Sequence, residues 1–436
     1  MKLVIAVSIG VLGVTGCTRV LAMPLTLLEV IQTSIASHPA MQSQLRLLDS
    51  ARADVSTAQQ QFLPTPSVGI EKINSTPADS LYRGNAALQT YRLQQPLWTG
   101  GRLTASLEKA QAQAQAVEAS VGDAAIQLSL RSIQAWSEWY AATLKLAAIN
   151  ESVQTHQRLI QQVKRRVEEG AAAPTELVLT QGRLAQTLST QQAMVAQVRA
   201  ARLKLSQLMG VSIKDDSTPK ETLNFEAIEL PELEAQAIYQ SPALQKLEAQ
   251  KQVQRAEIRE RSAELLPEIY IRVEHQRSQY DSPTMFSGGV NRAYLGLSTR
   301  FGAGMSNITQ QESLAKRLES IEADTEAVRR NLIEQIHTDY EIWSSLKNRI
   351  PDLELAVEST RRTAEAWDRQ FLAGRKSWME VMNTARELMQ AELELVDGKS
   401  NLVNVNWRLS ILGYGIEKTL AQKAQSGYSE IQGNQQ

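Results

Sequence analysis

Apolar residues recur every three or four positions along most of this chain. Between 314 and 357, apolar or small residues fall at Leu314, Leu318, Ile321, Thr325, Val328, Leu332, Ile336, Tyr340, Trp343, Leu346, Ile350, Leu353 and Val357. That spacing is the seam of a helix packed lengthwise on other helices. The run continues to about residue 372, where Gly374 breaks it. At about 1.5 Å per residue, a helix of about 65 residues is about 100 Å long. Pro351 lies inside the seam, lacks a backbone donor, and predicts a bend there. A return helix over 377–412 completes a long helical hairpin. An earlier stretch repeats the plan: a helix over 101–169, a break at 170–174, and a return over 175–209. Pro174, Thr175 and Glu176 form a helix start, with proline in the first turn and an acid just inside it.

Elsewhere the period changes to two. Ile269, Ile271 and Val273 alternate with Glu268, Tyr270, Arg272 and Glu274. Ala293, Leu295, Leu297, Thr299 and Phe301 alternate with Tyr294, Gly296, Ser298 and Arg300. Turn-forming residues lie between the two runs: Asp281, Pro283, Gly288, Gly289 and Asn291. The earlier counterpart has Val68 and Ile70 on one strand, Tyr91, Leu93 and Leu97 on the other, and Asn74, Pro77 and Gly84 between. Each pair reads as a hairpin with one apolar and one polar face, over about 65–74 with 86–97 and about 267–277 with 292–301. Helices over 25–61 and 231–265 precede the strands, stopped by Pro64 and Pro267.

These similarities make the chain a duplication. Pro39 and Pro242, Leu63-Pro64 and Leu266-Pro267, and Glu71 and Glu274 are each 203 residues apart. After one inserted residue the offset becomes 204 for Leu93 and Leu297, Trp139 and Trp343, Gly170 and Gly374, Glu176 and Glu380, and Leu205 and Leu409. A single one-residue shift over so long a stretch is the mark of a repeated structural unit. The repeats are expected at 23–222 and 223–436, with a tail over 413–436.

Composition narrows the class. The 436 residues carry a net charge of −1, so nothing suggests a nucleic-acid partner. Aromatic residues make up 5%, in keeping with long helices rather than large globular cores. Cys17 is the only cysteine, which excludes a disulfide framework or a thiolate metal cluster. It lies at the end of a targeting segment, with Lys2 followed by a short apolar run over 3–14 that reads as a signal peptide. Val20-Leu21-Ala22 favours cleavage after Ala22, giving a signal peptide over 1–22. Val14-Thr15-Gly16-Cys17 is the competing lipidation site. No later run is long and apolar enough for a transmembrane helix.

The four histidines, His38, His156, His275 and His337, lack metal-ligand spacing. No nucleophile elbow or phosphate loop occurs, so neither enzyme activity nor a cofactor or metal is expected. Trp136, Trp139, Trp343, Trp367 and Trp407 lie at helical spacing and read as packing residues. Tyr82, Tyr91, Trp98, Tyr270, Tyr280, Tyr294 and Phe301 are candidates for interfacial girdles.

Four strands cannot close a barrel, for which about eight is the practical minimum. Open hairpins with an apolar face invite aggregation, and a homo-oligomer resolves both problems. The duplication, the Leu-Pro approaches to the strands, Leu97-Trp98-Thr99-Gly100-Gly101-Arg102 and the paired Gly170/Glu176 and Gly374/Glu380 turns together resemble the TolC family of outer-membrane factors over nearly the whole mature length. The resemblance implies a mostly helical chain with a membrane β-barrel, assembled as a homotrimer with a 12-stranded barrel in the outer membrane lipid and a helical barrel in the periplasm. It implies an exit duct with a periplasmic adaptor and an inner-membrane transporter, ABC-type or proton-driven. By motif position it assigns the periplasmic gate to Glu176, Arg375, Lys376 and Glu380, where inter-hairpin ion pairs would form at a constriction. Phe371 and Asn383 replace a tyrosine and an acid common in the family, which predicts weaker block by divalent cations. The short run from Cys17 to Leu25 favours type I protein secretion. A multidrug or small-molecule efflux pump is the alternative, and a periplasmic coiled-coil scaffold is the alternative of another class.

Overall fold

The structure, a computed structural model, describes residues 24–74, 85–220, 229–280, 289–299 and 306–421. Cys17, the segment 1–22, Pro77, Tyr82, Gly84, Asp281, Pro283, Gly288, Arg300, Phe301 and the tail beyond 421 lie outside the described residues.

The order of elements is β1 (Leu25–Thr26), α1 (Leu27–Ser37), α2 (Pro39–Gln60), β2 (Thr65–Asn74), β3 (Asn85–Trp98), α3 (Arg102–Glu168), α4 (Pro174–Met209), β4 (Pro219–Lys220), α5 (Leu230–Gln240), α6 (Pro242–Ala263), β5 (Glu268–Tyr280), β6 (Gly289–Ser298), α7 (Ser306–Leu372) and α8 (Trp378–Tyr414). All thirteen seam positions from Leu314 to Val357 are buried or half-buried in α7.

Two predicted helices are each divided in the structure, for one reason. The stretch 25–61 is split into α1 and α2 at His38, and 231–265 into α5 and α6 at Ser241, both with extended backbones. Each precedes a proline, whose ring pushes its predecessor out of the α region. Pro39 and Pro242 then open the next helix, where no N–H is required. Pro351 behaves differently: α7 continues through it as a single helix. The carbonyl of Lys347 loses its helical donor there, but both residues are exposed and water can serve it.

The described residues pack as two units, and each draws on both repeats. One comprises those of Met1–His38, Gln127–Ile228 and His337–Gln436, the other those of Pro39–Ile126 and Glu229–Ile336. The first unit has a core of large side chains, among them Ile133, Trp136, Trp139, Leu205, Met209, Trp407 and Ile411, all essentially inaccessible. The indole of Trp136 stacks on Tyr140 at 5.2 Å between centroids and donates to the Leu25 carbonyl at 3.4 Å. The parallel β1–β4 pair sets Leu25 against Pro219. A capping box at Thr26 and Glu29 starts α1. Between α7 and α8, Arg408 Nε approaches the buried Asp339 carboxylate to 3.1 Å. Burial nonetheless raises the Asp339 pKa, with Arg408 opposing.

The second unit packs small residues instead. Ala51 and Ala58 of α2, Ala105, Ala112 and Ala116 of α3, and Ala249, Ala256 and Ala263 of α6 are buried at heptad-like spacing. Ion pairs flank them, Lys109 with Glu260 and Arg259 with Glu108. The strands form one antiparallel sheet in the order β2-β3-β5-β6. The register puts Val68, Tyr91, Leu93, Ile271, Val273, Leu295 and Leu297 on one face. These apolar side chains stand exposed, Val68 at 67% and Leu295 at 75%. A bulge between Pro96 and Trp98 sets Leu97 and Trp98 together against Ile269. The chain leaves β3 through Gly100 and Gly101, both with positive φ.

Candidate functional site

The turns between the paired helices hold the gate residues predicted from the sequence. Both turns are built on a glycine in the left-handed region, Gly170 and Gly374, each with φ 71°. Reverse hydrogen bonds close them: Ala171 N–H donates to Arg166 O at 2.7 Å, and Arg375 N–H to Gln370 O at 2.9 Å. The outgoing helices start differently. Ser377 caps α8, its hydroxyl accepting from the Glu380 N–H at 3.4 Å, while a Glu380 oxygen accepts from the Ser377 N–H at 3.0 Å. At the start of α4 the corresponding cap is Ala173, which offers no side-chain bond.

Under the turns lies a compact apolar cluster: Leu159, Val163, Phe371, Trp378, Val381 and Met382, with Val167, Leu177 and Trp367 against it. The offset of 204 maps Val167 onto Phe371 and Leu177 onto Val381, so the duplication supplies this cluster from both hairpins. Arg166 clamps it from α3. Its guanidinium donates to the Phe371 carbonyl at 3.2 Å and lies 4.9 Å from the centre of the Phe371 ring. Phe371, read from the sequence as a lock residue without its hydroxyl, is thus a core residue of the turn.

The four predicted gate residues fall into two groups. Lys376 and Glu380 are brought together, Nζ to carboxylate at 2.7 Å, and the same ammonium lies 4.3 Å from the Trp367 ring centre. The Lys376 hydrogen bond, followed by the Ser377 backbone and hydroxyl donors, lowers the Glu380 pKa to about 2. Glu176 and Arg375 are not brought to a partner: among the described residues neither side chain makes a hydrogen bond or ion pair. The sequence reading expected ion pairs between hairpins from this set, but within one chain the pair is local to the second turn. Asn383 is exposed.

Sequence reasoning missed the groups above the cluster. Arg361 of α7 bonds Glu151 of α3 at 3.0 Å and also Glu392 of α8. They line a cleft of about 220 Å³ with Arg158, Asp368 and Met389. Burial raises the Glu392 pKa, Arg361 opposes, and Glu151 adds to the rise. Nothing in the heptad pattern separates such a triad from solvated surface charge, because its members are far apart in sequence. Among the described residues no group of three or more His, Cys, Asp or Glu could hold a metal ion, and no helix is long and apolar enough to cross a membrane.

The outer membrane efflux protein family model matches residues 30–211 and 233–412. The chain belongs to the outer membrane efflux protein family. The two matched stretches correspond to the two repeats, and the protein is accordingly an outer-membrane efflux channel whose helical part lies in the periplasm. Members of this family are channel proteins that work with periplasmic adaptors and inner-membrane transporters. Solved structures share the fold. The OprN outer-membrane channel is 16% identical, with 89% of each chain covered and a TM-score of 0.75. The Campylobacter jejuni CmeC outer membrane channel is 12% identical, covering 92% of this chain and 89% of that one, with a TM-score of 0.77. The open state of the Neisseria gonorrhoeae MtrE outer membrane channel is 13% identical, covering 92% and 94%, with a TM-score of 0.68. No curated protein matches the sequence.

Membership gives the two faces of the sheet their solvents. The apolar face is the one suited to lipid, and the polar face the one suited to water. The aromatic residues divide accordingly. Tyr91 and Trp98 stand exposed on the apolar side. Tyr270 and Tyr294, predicted as girdle candidates, share the opposite face with Arg272: Tyr270 lies two residues before it on β5, and Tyr294 is its partner on β6.

Proposed function

We propose that three copies of this chain close a 12-stranded barrel and act as the exit duct of a tripartite exporter, engaging a periplasmic adaptor and an inner-membrane transporter. The observation that carries this reading is the four-stranded sheet with a lipid-type face and two open edges, β2 and β6. Successive strands alternate in direction, so with four per chain β6 runs antiparallel to the β2 of a neighbouring copy. A ring of such units closes without a mismatched pair and leaves no edge. Glu176 and Arg375, whose side chains have no hydrogen bond or ion pair among the described residues, are assigned to contacts between neighbouring hairpins at the periplasmic entrance. Lys376 and Glu380 hold the second turn in shape. MtrE, described in an open state, supports an entrance that opens and closes.

Protein export of the type I kind is the finer assignment. It rests on the sequence alone, on the seven residues that separate Cys17 from Leu25. The test is a deletion strain, complemented by the wild-type gene, in which secreted proteins and drug and dye sensitivity are compared. Loss of a secreted protein supports the assignment, and a change confined to drug sensitivity replaces it with small-molecule efflux. A heat-dissociable trimer in the outer-membrane fraction is expected in either case. A monomer there would overturn the duct itself.

A further inference from the structure

The polar face of the sheet carries an unbalanced charge cluster. The register sets Ser67, Arg92, Glu274 and Arg292 side by side across the four strands. The adjacent row on the same face, towards the strand ends that lead into the helices, holds Thr65, Gln94, Arg272 and Tyr294. These two rows contain three guanidinium groups and one carboxylate. Glu274 is almost buried and is shared: Arg92 Nε donates to it at 3.3 Å, and Arg272 Nε lies 3.7 Å away. Arg292 donates to the neutral amide oxygen of Gln276. Arg272 lies over the Tyr294 ring at 4.5 Å, with the Tyr270 ring at 5.9 Å. Gly296 makes room for this arrangement, since a Cβ there would fall 2.4 Å from Tyr270 Cζ.

One carboxylate thus faces three arginines: Arg92 and Arg272 share it, while Arg292 rests on a neutral amide. Among the described residues, the other acids on this face are remote or occupied. Glu71 lies two rows nearer the loops, about 13 Å along the strands at their usual rise, which exceeds the screening length of about 8–10 Å at physiological salt. Glu268 lies two rows the other way and pairs with Arg102. On the trimeric-duct reading, on which this inference rests, the surplus of two positive charges per chain becomes six around one level of the lumen. Low-dielectric walls focus the field of such a ring into the pore.

We propose that Arg92, Arg272 and Arg292 form an anion-binding belt inside the barrel, which draws in carboxylate or phosphate groups of exported cargo and holds them transiently. Arginine suits both because its planar fork matches their oxygens.

The test uses full-length trimers in planar bilayers, with single-channel current recorded at low salt. Tripolyphosphate and citrate, representing the two oxyanion sources, are added separately to the barrel side. Wild type is expected to show concentration-dependent block that weakens as salt rises. Block by only one of them would identify the group the belt takes. Arg292→Gln should weaken the block on the order of tenfold, Arg292→Glu should abolish it, and Arg292→Lys should retain most of it. Glu274→Gln, which raises the surplus, should tighten it. Each variant is first shown to form heat-dissociable trimers of normal conductance. A conducting wild-type channel that neither anion blocks at low salt would overturn the belt, as would block unchanged by Arg292→Glu. A wild-type trimer without any conductance would overturn the duct and the belt with it.

Discussion

Replacing Arg166 with methionine should free the periplasmic turns from each other. Arg166 is the one described side chain that both bonds and stacks on the turn of the other hairpin, through the Phe371 carbonyl at 3.2 Å and the Phe371 ring at 4.9 Å. Methionine keeps much of the aliphatic bulk against the cluster and removes only the cation. A hydrogen bond from a charged donor contributes about 1.5–3 kcal/mol, and the lower end applies because Arg166 is only half-buried. Its contact with the ring adds about 0.5 kcal/mol at a partly exposed site. Together these make about 2 kcal/mol, or roughly a 30-fold shift between joined and separated turns. If closure of the entrance depends on these turns staying together, single channels of Arg166→Met in planar bilayers should spend far longer in conducting states. Cells carrying the variant should also become sensitive to a large hydrophilic antibiotic that an intact outer membrane excludes. Arg166→Lys, which keeps the charge but not the planar fork, should fall between. An Arg166→Met trimer with wild-type gating, its heat stability intact, would refute the reasoning. The clamp would then be structural only.

Three further outcomes are expected. Gly100→Ala should lower the dissociation temperature of the trimer more than Gly101→Ala: both positions have positive φ, but only at Gly100 would the new Cβ meet Leu266 Cβ, at 2.6 Å, whereas Gly101 has nothing within 4 Å; the backbone cost shared by both is about 1–2 kcal/mol. Trp136→Ala, at a site 1% exposed, should cost about 3–5 kcal/mol and show in denaturant titration or limited proteolysis of the first unit. Ser377→Ala should weaken the start of α8 by about 1 kcal/mol. In the wild type the Glu380 pKa is lowered from 4.5 to about 2, so its stabilising contacts are complete above about pH 4.5 and are lost as pH falls towards 2; hydrogen exchange of the second turn should rise across that window and do so less in Ser377→Ala.

Much of this architecture was legible because its physics is periodic. The seam from Leu314 to Val357 and the alternation from Glu268 to Val273 are local patterns, and the structure gives them the expected faces. Proline was legible in part. Pro64 and Pro267 read as stops, whereas Pro39 and Pro242 read only as landmarks of the duplication, although the same clash with the preceding residue splits the helices there. Of the gate set, the Lys376–Glu380 pair lies four residues apart and could be read locally. The Arg166 clamp, the Glu151–Arg361–Glu392 triad and the Arg92–Glu274 pair join residues 31 to 210 positions apart. Pairings of that kind depend on helix rotation and strand register, which no local pattern encodes.

The two turns differ through four residues. At an offset of 204, Ala171, Ala172, Ala173 and Pro174 stand where the second turn has Arg375, Lys376, Ser377 and Trp378. The acids Glu176 and Glu380 are equivalent, yet their states are opposite. Glu380 is held by Ser377 and Lys376, while Glu176, facing an alanine cap, makes no side-chain bond among the described residues. The second turn is therefore fastened by its own cap, by its ion pair and by Trp378 in the cluster. The first has its glycine, its proline, backbone bonds and Leu177 against the shared cluster, with no side-chain cap and with Val178 and Leu179 exposed beside it. A first turn with so few ties of its own takes its position from whatever it touches. Duplication placed a glycine turn and an acid in both hairpins, and the divergence at these four positions gave the second turn its side-chain cap, its ion pair and its buried tryptophan, which the first turn does not share.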